Sequence, residues 1–108
     1  MQNIPEADWL QFKQVRQVLL EHFCQRALDE LAGVAQAREG SAHDRYLRAY
    51  KLLERRDQEL ARAFDDFRRS TAVMQLATMR AMGLLTDGQL SHFSERTQQT
   101  VHFLATPH

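Results

Sequence analysis

The feature that most constrains this chain is one row of residues. Tyr46, Tyr50, Leu53, Asp57, Leu60, Phe64, Phe67, Thr71, Met74, Thr78 and Ala81 advance by alternating steps of four and three. A strand turns its side chains over at every second residue, whereas this spacing keeps one edge of a helix facing the same way; it is a heptad seam. If helical without a break from about residue 42 to 82, the stretch rises roughly 1.5 Å per residue to nearly 60 Å, against a radius of gyration of ~13 Å for a compact domain of this size. A rod of that length overhangs whatever the remaining residues build. A break at Ser70 and Thr71, whose hydroxyls compete for local backbone groups, is the alternative.

The rest of the chain also reads as helix. Its two prolines and four glycines leave Pro5 to Gly33 and Gly40 to Gly83 almost uninterrupted, which strand-rich folds rarely tolerate. Pro5, then Glu6 and Asp8, suit the first turn of helix 1, expected over about 5–36, where Trp9, Phe12, Val15, Leu19, Phe23, Ala27, Leu31 and Val34 line one face. Arg38 to Ser41 is the loop signal. Ser41 with Asp44 forms a capping arrangement that opens helix 2, expected over about 42–82. Gly83 supplies a left-handed helix end, Thr86 with Gln89 makes the next capping box, and Leu85 with Leu90 a hydrophobic staple. Helix 3, expected over about 87–104, then carries Leu90, Phe93, Thr97, Val101 and Leu104 as its apolar stripe.

Composition narrows the functional classes. At 108 residues, 44% apolar and 26% charged, the chain reads as one globular domain. Fourteen basic and fourteen acidic residues cancel, so no whole-molecule field draws it to nucleic acid or anionic lipid. Cys24 stands alone among Leu19, Leu20, Phe23 and Leu28, as a small hydrophobe in a reducing compartment would. Met1 to Leu10 has neither a basic start nor an apolar stretch, and no apolar run approaches the ~18 residues of a membrane span. A cytoplasmic location without membrane attachment is expected, and twelve Arg among fourteen basic residues fit a GC-rich bacterial genome.

Five groups of residues invite a chemical reading. Arg48, Arg55, Arg62 and Arg69 recur every seventh residue and form a basic stripe that could track a phosphate backbone. Asp44, Glu59, Asp66 and Asp65 lie four residues from these arginines in turn, however, at the spacing of ion pairs within a helix, and such carboxylates repel phosphate. The end of helix 2, the Gly83 to Leu85 turn and helix 3 have the order of a helix-turn-helix. Asp87 and Glu95 stand where base-reading residues belong, so a capped corner is the simpler reading. His92 with Glu95, His102, and Glu21 with His22 have weak metal-ligand spacing, and the paired Glu-x-x-His of di-iron bundles is missing. Asp57, beside Arg56, is the one carboxylate on the apolar seam, where its pKa would rise; with no nucleophile, base or phosphate loop near it in sequence, an ion pair to an Arg of another helix or another chain accounts for it better. Met74, Met79 and Met82 fit a core or a helix-accepting surface equally well.

The sequence therefore predicts an all-α fold: an antiparallel hairpin of two long helices with a shorter third folded back on the second. Helix 3 is too short to cover the seam. A second copy is expected to do so, giving a homodimer whose interface includes Tyr46, Tyr50, Leu53, Asp57, Leu60 and Phe64. Function is expected through protein–protein association, with itself or with a protein partner. A nucleic-acid regulator using the Arg48/Arg55/Arg62/Arg69 stripe is the alternative and a small helical enzyme the third reading; no catalytic, cofactor or metal position is assigned.

Overall fold

The computed structural model describes residues 4–107, and among them every regular element is helical. Helix α1 runs Glu6–Gln36, α2 Ala42–Phe64, α3 Ala72–Ala81, α4 Asp87–Leu90 and α5 Glu95–Ala105, with a 3-10 turn at Arg69–Thr71. The all-α expectation is met. Helix 1 ends where the sequence places it, and Gly33 passes inside it.

The first two helices form the hairpin because their junction is closed by local bonds. Asp44 N donates to Ser41 Oγ and Ser41 N to Asp44 Oδ2, each at 3.1 Å. Gly40 sits at φ +80°, and a Cβ there would come within 3.1 Å of the Asp44 carboxylate. The loop thus needs glycine for both conformation and space.

Helix 2 is not one rod. α2 stops at Phe64, residues 65–68 form an irregular link, and the chain re-enters helix only at the 3-10 turn, so the break spans 65–71 rather than falling at Ser70 and Thr71 alone. Asp66 adopts φ +58°, a left-handed position that Asp tolerates better than bulkier residues. Every helix end must place its last carbonyls, and here side chains take them. Arg16 Nη2 donates to Phe64 O at 2.7 Å, Thr71 Oγ1 donates to Asp66 O at 2.6 Å, and Gln75 Nε2 donates to Asp65 O and Asp66 O. Thr71 does act at the break, as its competing hydroxyl suggested.

The end of α3 follows the sequence reading closely. Gly83 is at φ +72°, Leu84 N donates to Met79 O at 2.9 Å and Gly83 N to Arg80 O at 3.0 Å, the two bonds of a Schellman motif. Thr86 and Gln89 cap α4 reciprocally at 3.0 and 2.9 Å, and the staple residues Leu85 and Leu90 are both buried. Helix 3, by contrast, is two pieces. α4 is a single turn, and Ser94 starts α5 afresh. The predicted stripe survives the break: Leu90, Phe93, Thr97 and Val101 are buried and Leu104 half-buried.

These elements make two regions. The base gathers the first half of α1, the end of α2 and α3 to α5 around Phe12, Leu19, Leu76, Met79, Leu85 and Val101, all fully enclosed. Asp8 ties α1 to α5: its buried carboxylate accepts from Ser94 N at 2.9 Å and from the Ser94 and Thr97 hydroxyls at 2.6 Å each. Arg69 closes the same end through Ile4 O at 2.9 and 3.0 Å and Glu6 at 2.7 Å. The second half of α1 and most of α2 project from this base as a two-helix arm. It stretches the molecule to 52 × 28 × 23 Å with a radius of gyration of 16.6 Å, above the ~13 Å of a compact domain.

Candidate association surface

The arm has two helices and therefore one shared contact, so each helix can hide only one of its edges. On α2 the less exposed row is Arg45, Ala49, Leu52, Arg56, Glu59 and Ala63, and Leu52 is the one buried apolar residue between Gln25 and Arg62. This row faces α1. Arg45 Nη1 donates to Ala35 O at 3.0 Å, and Arg56 bridges Glu30 of α1 at 2.9 Å and Glu59 at 3.0 Å. The hydrogen bond from Arg56 holds the Glu30 carboxyl below the usual carboxylate range, and the same contact raises the Arg56 guanidinium.

The row that faces α1 is the predicted seam moved back by one residue. One residue of an α-helix is a rotation of about 100°. The seam itself is consequently turned out of the helix pair. Tyr46 is 67% exposed, Tyr50 58% and Leu53 50%, with Leu28 of α1 at 56% alongside; Leu47, at 39%, lies on the side of α2 away from α1. Leu60 is half-buried against the edge of the base core. Phe64 is not part of the open strip: at 2% exposure it lies inside the base, edge-on to Phe23 with 6.1 Å between ring centres. Phe67 turns to the base as well, against Trp9 and Phe12 with the Arg16 guanidinium 4.2 Å from its ring.

Between α1 and α2, on the seam side, lies an apolar groove of about 190 Å³ floored by Phe23, Ala27 and Leu28 and walled by Leu53 and Leu60. Cys24 and Asp57 stand on its rim. Asp57 is exposed, and its side chain has no hydrogen-bond or ion-pair partner among the described residues, the expected Arg included. Arg56 lines the same groove but is held by Glu30 and Glu59.

The basic stripe is dispersed. None of its four predicted ion pairs forms. Asp44 is used in the cap of α2, Glu59 is taken by Arg56, Asp66 lies beyond the helix end and pairs with Arg68 at 2.6 Å, and Arg69 turns to Glu6 and Ile4 O. Arg48 donates to Glu39 O at 2.8 Å. Arg48 and Arg55 do share an open groove near the arm tip, but Glu30, Glu39 and Glu54 line it with them.

The helix-turn-helix order is present in the chain, yet its second helix is the single turn α4, whose Asp87 pairs with Arg80. His22, His92, Glu95 and His102 are exposed, and no three His, Cys, Asp or Glu side chains converge as a metal ion would need among the described residues. The methionines divide: Met79 is fully buried, Met82 packs on the core and Met74 is 46% exposed. Among the described residues no helix is long and apolar enough to cross a membrane.

Sequence reasoning misses the residues that build the base joint. Asp8, Ser94 and Thr97 are legible separately, as a first-turn carboxylate and a Ser-x-x-Thr start, but their meeting spans 86 to 89 residues. No protein family, no curated protein and no solved structure matches this chain.

Proposed function

We propose that the chain acts by protein–protein association through the side of its arm that carries Tyr46, Tyr50 and Leu53, with Leu28 beside them. One observation supports this above the others. A base with a closed core carries an arm on which Tyr46, Tyr50 and Leu53 share one side of α2 with Leu28 of α1 beside them, each between 50 and 67% exposed. Scattered exposed leucines are ordinary, whereas a contiguous strip rimmed by charge is the usual mark of an interaction surface. Two tyrosines strengthen the reading, since their rings bury large area at small entropic cost while the hydroxyl stays satisfied at a wet rim. The role needs no catalytic group: the protein is an adaptor or regulator that presents helical surface.

The test is a photo-reactive side chain placed at Tyr50 in living cells of the source organism. A discrete cross-linked species is expected from Tyr50, lost when Leu53→Glu is added, and none is expected from the same group at exposed Gln17. No species from Tyr50 overturns the proposal.

A further inference from the structure

We infer that the partner on this strip is a second copy of the chain, laid antiparallel across α2; this rests on the association reading above. The strip has one polar member at each end, the Tyr46 hydroxyl and the Asp57 carboxylate, with Tyr50 and Leu53 between them. Tyr46 and Asp57 are equally distant from the midpoint of Tyr50 and Leu53. A two-fold axis through that midpoint sets Tyr50 against the second copy's Leu53, and Tyr46 against the second copy's Asp57, twice over. The phenol donates and the carboxylate accepts, so the one charge in the strip meets a donor.

Other arrangements of the same strip leave that charge worse placed. Parallel pairing brings the two Asp57 carboxylates together. Sliding the antiparallel pair by a heptad one way puts Asp57 against the second copy's Leu53, a desolvated carboxylate without a partner. Sliding it the other way carries Asp57 past the start of the second copy's α2 at Ala42, towards Glu39. Of these registers the self-complementary one gives Asp57 a donor, and Asp57 has no partner of its own among the described residues.

The area suits a weak, reversible dimer. A strip about 20 Å long and two helices wide, roughly 20 Å, offers on the order of 400 Å² per copy, about half of the ~800 Å² per partner in a standard interface. Leu28 lies within this width, beside Leu53 in the groove between the helices.

The experiment is sedimentation equilibrium up to about 200 μM, high enough to populate the weak dimer that a small interface implies, on the wild type, Tyr46→Phe, Asp57→Leu and the double variant. A dimer is expected, weakened roughly tenfold by Tyr46→Phe, which strands a buried carboxylate. The double variant is expected to regain most of that loss, because removing both polar groups leaves neither unpaired. Within one chain the two positions are about 16 Å apart along the helix, too far to couple, so non-additivity reports contact between copies. Circular dichroism identical across the set confirms that each variant folds. Additive effects, or a wild-type monomer throughout, overturn the inference. A wild-type monomer together with a cross-linked species from Tyr50 of a mass other than two chains leaves the association reading standing; a monomer with no such species removes both.

Discussion

The base and the arm are made of the same kind of helix and differ in how many neighbours each helix has. In the base, α3 is surrounded by α1, α2 and α5, and six of its ten residues are buried. In the arm, α2 has α1 alone, and over the stretch that leaves the base Leu52 is the one apolar side chain it hides. Apolar periodicity marks an edge that can be covered; whether it is covered depends on how many elements arrive. The seam runs through both regions, yet it is open at Tyr46 and closed at Phe64.

Substitutions can break or sharpen this contrast. The largest effect is expected from Leu76→Ala at the fully enclosed centre of the base, about 3–4 kcal/mol of stability by urea unfolding, from lost transfer energy plus the cavity left behind. Its counterpart Leu53→Ala, measured on dilute protein, is expected within about 0.5 kcal/mol of the wild type. Equal losses would mean that the arm belongs to the core.

Next comes Asp8→Asn, which spoils the acceptor for three hydrogen bonds at the joint between α1 and α5 and is expected to cost about 2–3 kcal/mol at neutral pH. Burial pushes this carboxyl up, but the bonds from Ser94 and Thr97 together outweigh it and hold the group below its ordinary value of 3.8. The sign follows from linkage: with the folded pKa depressed, the stability is complete above that ordinary value and is lost as pH falls through the lower folded one. Wild type and Asp8→Asn should therefore converge in urea midpoint as pH drops below 3.8, and a constant gap would remove this account.

A smaller loss, about 1–2 kcal/mol, is expected from Gly83→Ala, since the left-handed backbone at φ +72° strains any Cβ although nothing lies within 4 Å of one. Smallest is Arg56→Ala. Its bridges to Glu30 and Glu59 are solvent-screened, so the global melting temperature should hold while backbone amides of α2 near Leu52 exchange faster, the arm opening without the base. A matching fall in base protection would show that the two regions unfold as one.

Much of the local architecture is legible in the letters. The caps at Ser41 and Thr86 and the left-handed Gly83 depend on partners within five residues, and each forms as its spacing implies. The seam is legible too, as a row of large apolar residues, but its role is not. Arg48, Arg55, Arg62 and Arg69 show the same limit: their spacing to carboxylates is correct for ion pairs, and stronger claims on those carboxylates from caps and from Arg56 decide otherwise.

By itself, then, the sequence determines that the chain is helical, where its first helix begins and ends, and which residues are apolar, because propensity and capping act over one turn of backbone. The tertiary structure decides which of two rows on α2, about 100° apart, meets α1, and that α2 ends at Phe64. Both outcomes depend on groups distant in sequence. Arg16, 48 residues away, donates to the Phe64 carbonyl at the end of α2, Gln75 donates to the Asp65 carbonyl just past it, 10 residues away, and the direction from which α1 approaches leaves Tyr46, Tyr50 and Leu53 facing outward.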